Sequence, residues 1–183
     1  MNHLTICLYG GASDNVPPKY IETVEALGRA MAARGHELIY GGGASGMMGA
    51  AARGVTDRGG SVIGVVPKFL NSFEPMFDRC TAEIRTETMA CRKEIMEENG
   101  DAFIIAPGGI GTFDEFFQVL TLRELGRHDK PIILFNFDHY YDTLVQLIQE
   151  CVRVGFIRPR VQELFEVCST ANGVLDCIEA EAK

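Results

Sequence analysis

Ala102-Phe103-Ile104-Ile105-Ala106-Pro107-Gly108-Gly109-Ile110-Gly111-Thr112-Phe113-Asp114-Glu115 is the stretch that decides the fold. The first five residues are apolar without a break, as in a strand buried on both faces, and Pro107 stops it. Glycines then turn the chain tightly, and Thr112, Asp114 and Glu115 open a helix. The order is strand, glycine turn, helix.

Outward from this unit the same order recurs. Strands are predicted over residues 4–9, 36–40, 61–66, 81–85, 131–135 and 165–168, beside the one over 102–106. Helices are predicted over 17–34, 47–58, 88–99, 112–125, 140–154 and 171–180. Pro17 and Pro18 suit a first helical turn, and Gly35 suits a C-terminal cap. Residues 67–78 show no period and read as a loop with a short helix. Strands alternating with helices imply an α/β protein: one Rossmann-like, doubly wound parallel sheet with helices on both faces. The 183 residues fit one domain spanning 1–183. Ligands in such folds bind outside the C-terminal ends of the strands. Three loops therefore matter, over 10–15, 41–46 and 107–111.

Composition narrows the function classes. A net charge of −8 argues against a nucleic-acid-binding face. No apolar run is long enough to span a bilayer. The start, Met1-Asn2-His3-Leu4, lacks the basic and apolar regions of an export signal, so a cytoplasmic protein is expected. The six cysteines show no close pairing and are expected to be reduced and mostly buried. His3, His36, His128 and His139 lack metal-ligand spacing, and no metal or cofactor is called for. There is no G-x-S-x-G elbow.

Gly41-Gly42-Gly43-Ala44-Ser45-Gly46 fits G-x-G-x-x-G, but no acid lies near residue 66, where a dinucleotide site would need one. Met47 follows Gly46 where a phosphate loop would carry lysine. This loop reads mainly as architecture. The loop at 107–111 has two readings. Thr112 and Glu115 have capping-box spacing, which would make Glu115 a structural residue. Alternatively the loop holds a phosphate on its free N–H groups, and Glu115 faces the ligand. On the helix over 88–99, Met89, Cys91, Ile95 and Met96 share an arc, and Arg92 falls in its middle. A cation on an inward face needs an anionic partner, either Glu115 or a ligand.

Met89-Ala90-Cys91-Arg92-Lys93 and Pro107-Gly108-Gly109-Ile110-Gly111-Thr112-Phe113-Asp114-Glu115 together resemble the Lonely Guy family. Its members are cytokinin riboside 5'-monophosphate phosphoribohydrolases, often mislabelled lysine decarboxylases. The resemblance extends to Tyr40-Gly41-Gly42-Gly43, Gly46-Met47-Met48-Gly49 and Gly155-Phe156-Ile157-Arg158-Pro159. It implies hydrolysis of the N-glycosidic bond of AMP or an N6-substituted AMP, with no cofactor or metal, by a homodimer. It implies Arg92 and Glu115 as the catalytic pair. It carries substrate contacts to Glu74, Arg92, Lys93, Gly108, Gly109, Ile110, Gly111, Thr112, Phe113, Asp114, Glu115 and Thr121. Ala90, Cys91 and Leu122 depart from the residues usual there and bear on the choice of base. A rival class is a nucleotide-binding or sensing module that uses the same pocket without turnover. Pyridoxal chemistry needs a Schiff-base lysine, and none of Lys19, Lys68, Lys93, Lys130 or Lys183 has a convincing cofactor context.

Overall fold

A computed structural model describes residues 3–72 and 75–182. Seven parallel strands form one sheet: β1 (Thr5–Tyr9), β2 (Glu37–Tyr40), β3 (Val62–Pro67), β4 (Ala82–Thr86), β5 (Ala102–Ile105), β6 (Ile132–Phe135) and β7 (Glu166–Cys168). Their order is β4-β3-β2-β1-β5-β6-β7. Six helices connect them: α1 (Pro18–Ala33), α2 (Gly46–Thr56), α3 (Met89–Asn99), α4 (Ile110–Glu124), α5 (Asp142–Arg153) and α6 (Ala171–Glu181). Every predicted strand is present, with ends shifted by a residue or two.

Alternation along each strand divides the core. Ile6 and Leu8 of β1 pack with Val24, Leu27 and Met31 of α1, Val55 of α2 and Ile178 of α6. Cys7 and Tyr9 point to the other face, among Met96 of α3, Phe116 and Val119 of α4 and Ile148 of α5. A parallel sheet covered on both faces needs such continuously apolar strands. In register, Cys7 of β1 stands between Ile39 of β2 and Phe103 of β5. The chain thus winds outward from β1 in one direction through β4, then returns and winds the other way from β5.

Some expectations are corrected. The helix after β5 begins at Ile110, two residues earlier than predicted, because Gly109 takes the cap position. The helix expected over 140–154 is preceded by a separate 3-10 turn, Phe137–His139, and begins at Asp142. A further 3-10 turn, Pro159–Glu163, was not foreseen. Of the cysteines only Cys7 is fully buried, and Cys91 is exposed. Its place on the predicted inward arc fails because α3 buries only Arg92 and Met96.

Polar contacts tie down the ends of the chain's helices. The Thr88 hydroxyl accepts the Cys91 N–H at 3.1 Å and caps α3. Arg34 donates to Asp176 at 2.7 Å and to Glu179 at 3.0 Å, fastening α6 to the end of α1. Among the described residues no helix is long and apolar enough to cross a membrane.

Candidate active site

A cleft of about 760 Å³ opens above the C-terminal ends of β1 and β5. This is where the strand order reverses, the place a doubly wound sheet offers a ligand. One wall is the loop after β1, with Gly10, Gly11 and Ala12. The opposite wall is the loop after β5 and the start of α4, with Gly108, Gly109, Gly111, Thr112 and Glu115. Met89 and Arg92 of α3 and Met47 and Met48 of α2 also line it, and Tyr20, Leu70 and Tyr140 lie along its sides.

The starts of α2 and α4, both beside the cleft, differ in what they can bind. At the start of α2, the Gly46 N–H donates to Asp14 at 2.7 Å and the Met47 N–H donates to the Gly11 carbonyl at 2.8 Å. Those donors are used within the protein. At the start of α4 the Phe113 N–H donates to the Gly109 carbonyl, the first bond of that helix. The N–H groups of Ile110, Gly111 and Thr112 precede it and meet no acceptor among the described residues. A helix N-terminus with open donors beside a cleft is an anion site.

Thr112 does not cap the helix. It is the third helical residue, it is buried, and its side chain makes no capping bond. The capping-box reading is therefore overturned, and with it the purely structural explanation of Glu115. Glu115 lies one turn further on, partly buried at the cleft wall. Burial pushes its carboxyl up to about 7, against a partial offset from the Arg92 charge.

Arg92 is 5% exposed, and a buried charge ordinarily has a partner. Among the described residues its guanidinium finds only the Met89 sulfur, at 3.7 Å, and its Nε is buried with no hydrogen-bond partner. Among the described residues it makes no ion pair with Glu115. The cation thus lines the cleft with no anionic partner among the described residues. Gly41 makes room for it. A Cβ built on Gly41 would lie 1.7 Å from one terminal nitrogen of Arg92. Only glycine fits there while Arg92 keeps its place. Gly41→Ala should fold with little loss of stability, because the clashing atom ends a long side chain. It should lower kcat/KM by about tenfold or more by displacing the guanidinium; steady-state kinetics beside a thermal melt checks this.

The structure gathers Arg92, Gly108, Gly109, Gly111, Thr112 and Glu115 around one cleft. It leaves others outside the cleft lining. Lys93 pairs with the exposed Asp114 at 2.9 Å. Ile110 is 83% exposed, Phe113 packs edge-on against Tyr141, and Thr121 is on the surface. Glu74 lies outside the described residues. Gly10, Gly11, Met47, Met48, Tyr20 and Tyr140 are cleft residues that sequence reasoning did not assign to substrate. The methionines read as core and are indeed buried, but they face the cleft as well.

A family model described as possible lysine decarboxylase matches residues 48–178. The chain is 37% identical over 177 residues, 96% of its length and 89% of the relative's, to a cytokinin riboside 5'-monophosphate phosphoribohydrolase of Rhodococcoides fascians. It is 38% identical over 178 residues, 97% of its length and 82% of the relative's, to an Arabidopsis thaliana protein of the same name. Among solved structures, the molybdenum cofactor binding protein of Rippkaea orientalis superposes with a TM-score of 0.75, 23% identity and 98% coverage of each chain. The molybdenum cofactor carrier protein of Chlamydomonas reinhardtii gives 0.74, 20% identity and 98% coverage of each. At these identities the structures speak for the fold alone. No described lysine lines the cleft. Lys19 pairs with Asp138, Lys68 with Glu87 and Lys93 with Asp114, and Lys130 donates to the carbonyls of Glu97 and Glu98. The cleft therefore does not fit a pyridoxal cofactor, which needs a lysine amine for its Schiff base.

Proposed function

Since the chain belongs to the Lonely Guy family of phosphoribohydrolases, we propose that it hydrolyses the N-glycosidic bond of adenosine 5'-monophosphates, N6-substituted ones among them. The products are the free base and ribose 5-phosphate. The observation that carries this reading is Arg92, a buried cation with no ion-pair partner among the described residues, lining the same cleft as Glu115 and the start of α4.

Each part of the cleft has a task in this reaction. Leaving of the base puts positive charge on the ribose, as in other glycoside cleavages. The ionised Glu115 carboxylate stabilises that charge and orients the attacking water. The N–H groups of Gly111 and Thr112 hold the phosphate. Arg92 offers donors to the anionic substrate and favours the ionised form of Glu115. Val16, Pro17, Tyr20, Met47 and Met48 give the planar base an apolar wall. Holding both ends of the substrate in this way lowers the barrier by positioning as well as by charge.

The direct test is product release. Purified protein should free base and ribose 5-phosphate from AMP and N6-isopentenyl-AMP, and do so far more slowly from the matching nucleosides. Tight AMP binding with no base released would instead mark a sensing module. A pH profile tests the role of Glu115. Its carboxyl titrates at about 7 and acts when ionised, so kcat/KM should rise with pH and level off above about 7. A flat profile from about pH 6 to about pH 8, roughly one unit either side of that value, would count against an ionised Glu115.

We further propose that the protein acts in the cytoplasm as a homodimer. Phe117 on α4, Leu125 just past it, Leu147 on α5 and Phe156 beyond it are exposed apolar side chains that a second copy would cover. Sedimentation at micromolar concentration reads the assembly directly.

A further inference from the structure

The first turn of α4 leaves one bond unmade, and Tyr140 stands in its place. In a helix extended by one residue, the Thr112 N–H would donate to the carbonyl four positions back, that of Gly108. That carbonyl instead accepts the Tyr140 hydroxyl at 2.6 Å. The next side chain repeats the device, since the Tyr141 hydroxyl donates to the Ala106 carbonyl at 2.7 Å. The peptide joining Gly108 to Gly109 has glycine on both sides, so no Cβ opposes its rotation. The Tyr140 bond is the restraint that the loop's own residues do not supply.

The turn that delivers Tyr140 is itself held in an unfavourable shape. Asp138 and His139 have φ of 53° and 62°, in the left-handed region that residues with a Cβ avoid. The Asp138 carboxylate accepts Lys19 Nζ at 2.5 Å and the Tyr20 hydroxyl at 3.3 Å. On the other side, the Asn136 side-chain oxygen accepts the Tyr141 N–H at 2.7 Å. Strain of this kind persists where the surroundings over-determine it, and it gathers at functional sites. The Tyr140 ring meets Tyr20 edge-on, with centroids 6.0 Å apart, and both rings line the cleft.

We propose that Tyr140 is a positioning residue for the substrate phosphate. By holding the Gly108 carbonyl, it fixes the Gly108–Gly109 peptide in the orientation that leaves the Thr112 N–H, the helical partner of that carbonyl, open to the phosphate. The choice of AMP as substrate rests on the hydrolase reading above; the phosphate-binding part rests on the hydrogen-bond pattern alone.

Tyr140→Phe removes the hydroxyl and keeps the ring, and at 40% exposure the site accommodates it without repacking. KM for AMP should rise about tenfold, equivalent to ~1.4 kcal/mol, with kcat little changed. Turnover of adenosine, which has no phosphate, should match that of the wild type. Calorimetric affinity for inorganic phosphate should fall with the affinity for AMP, at an unchanged thermal midpoint. Equal effects on AMP and adenosine would assign Tyr140 to the base or ribose and overturn the proposal. So would an unchanged phosphate affinity. If the wild type releases no base from AMP, the hydrolase reading fails, and the calorimetric comparison still decides the role of Tyr140.

Discussion

Glu115→Gln is expected to lower kcat by about 10³-fold and, above pH 7, to make the folded protein more stable than the wild type. The glutamine has the same shape but cannot carry the charge that answers the developing positive ribose. The stability gain follows from burial. The Glu115 carboxyl titrates near 7 in the folded chain, against an ordinary value of 4.5. Below about 4.5 it is protonated in both states and costs nothing extra. Between 4.5 and 7 the unfolded chain loses its proton first, so stability falls as pH rises through that window. Above 7 the penalty is complete, on the order of 1–3 kcal/mol. Glutamine does not titrate. The melting curves of the two proteins should therefore nearly coincide at about pH 4.5 and separate toward about pH 8. A wild-type rate in the variant would remove Glu115 from the chemistry. A melting gap independent of pH would remove burial as the cause of its raised pKa.

Arg92→Met carries the second large effect. It should reduce kcat/KM roughly 10²–10³-fold, the loss of a charge-assisted hold on the substrate. Unlike most changes to a buried arginine, it should not destabilise the ligand-free protein. A buried charge is costly when nothing inside the protein answers it, and an apolar side chain of similar length ends that cost. Arg92 makes no ion pair among the described residues, and its charge only partly offsets the burial of Glu115, so the loss on that side is confined to pH values where Glu115 is ionised. A second measurement separates this from general damage. AMP should raise the melting temperature of the wild type by mass action and leave that of the variant nearly unchanged. A marked drop in stability without ligand at about pH 5.5, where Glu115 is protonated, would mean that Arg92 answers another charge within the fold.

The five inner strands are legible because each is a short apolar run bounded by glycine or proline, a signal carried within ten residues, whereas the edge strands β4 and β7 carry charged residues and no such boundaries and are read from the alternation of strand and helix. Arg92 was legible for a related reason: a cation inside an apolar arc violates the helix's own pattern. Glu115 was harder, since local spacing argued equally for a cap and only the family resemblance favoured chemistry. The start of α4 is hidden in the sequence because Gly109, Ile110 and Gly111 read as turn residues. In the first turn of a helix, where N–H groups have no partner anyway, glycine costs little and lets a ligand approach. Cys91 falls outside the buried stripe of α3, which is narrower than the apolar pattern of that helix suggests. The roles of Gly41 and Tyr140 could not be read from spacing. Gly41 acts on a side chain more than fifty positions away, and Tyr140 bonds a carbonyl 32 positions earlier. The sheet order, not the local sequence, brings those pairs together.

The reversal of strand order at β1 has a consequence for how the protein is made. In the finished sheet β1 is central, flanked by β2 and β5. As the chain is synthesised, β1 through β4 are complete before β5 exists. Until residues 102–105 arrive, β1 is an apolar edge with its peptide groups unpaired on one side, the kind of surface on which nascent chains aggregate. Pairing with β5 caps that edge. The same event brings the loop after β5 against the loop after β1, where the Gly11 N–H donates to the Pro107 carbonyl at 3.0 Å. The growing chain thus passes its most vulnerable stage at the moment the cleft first acquires both walls, so the ability to bind nucleotide reports that the two halves of the sheet have joined.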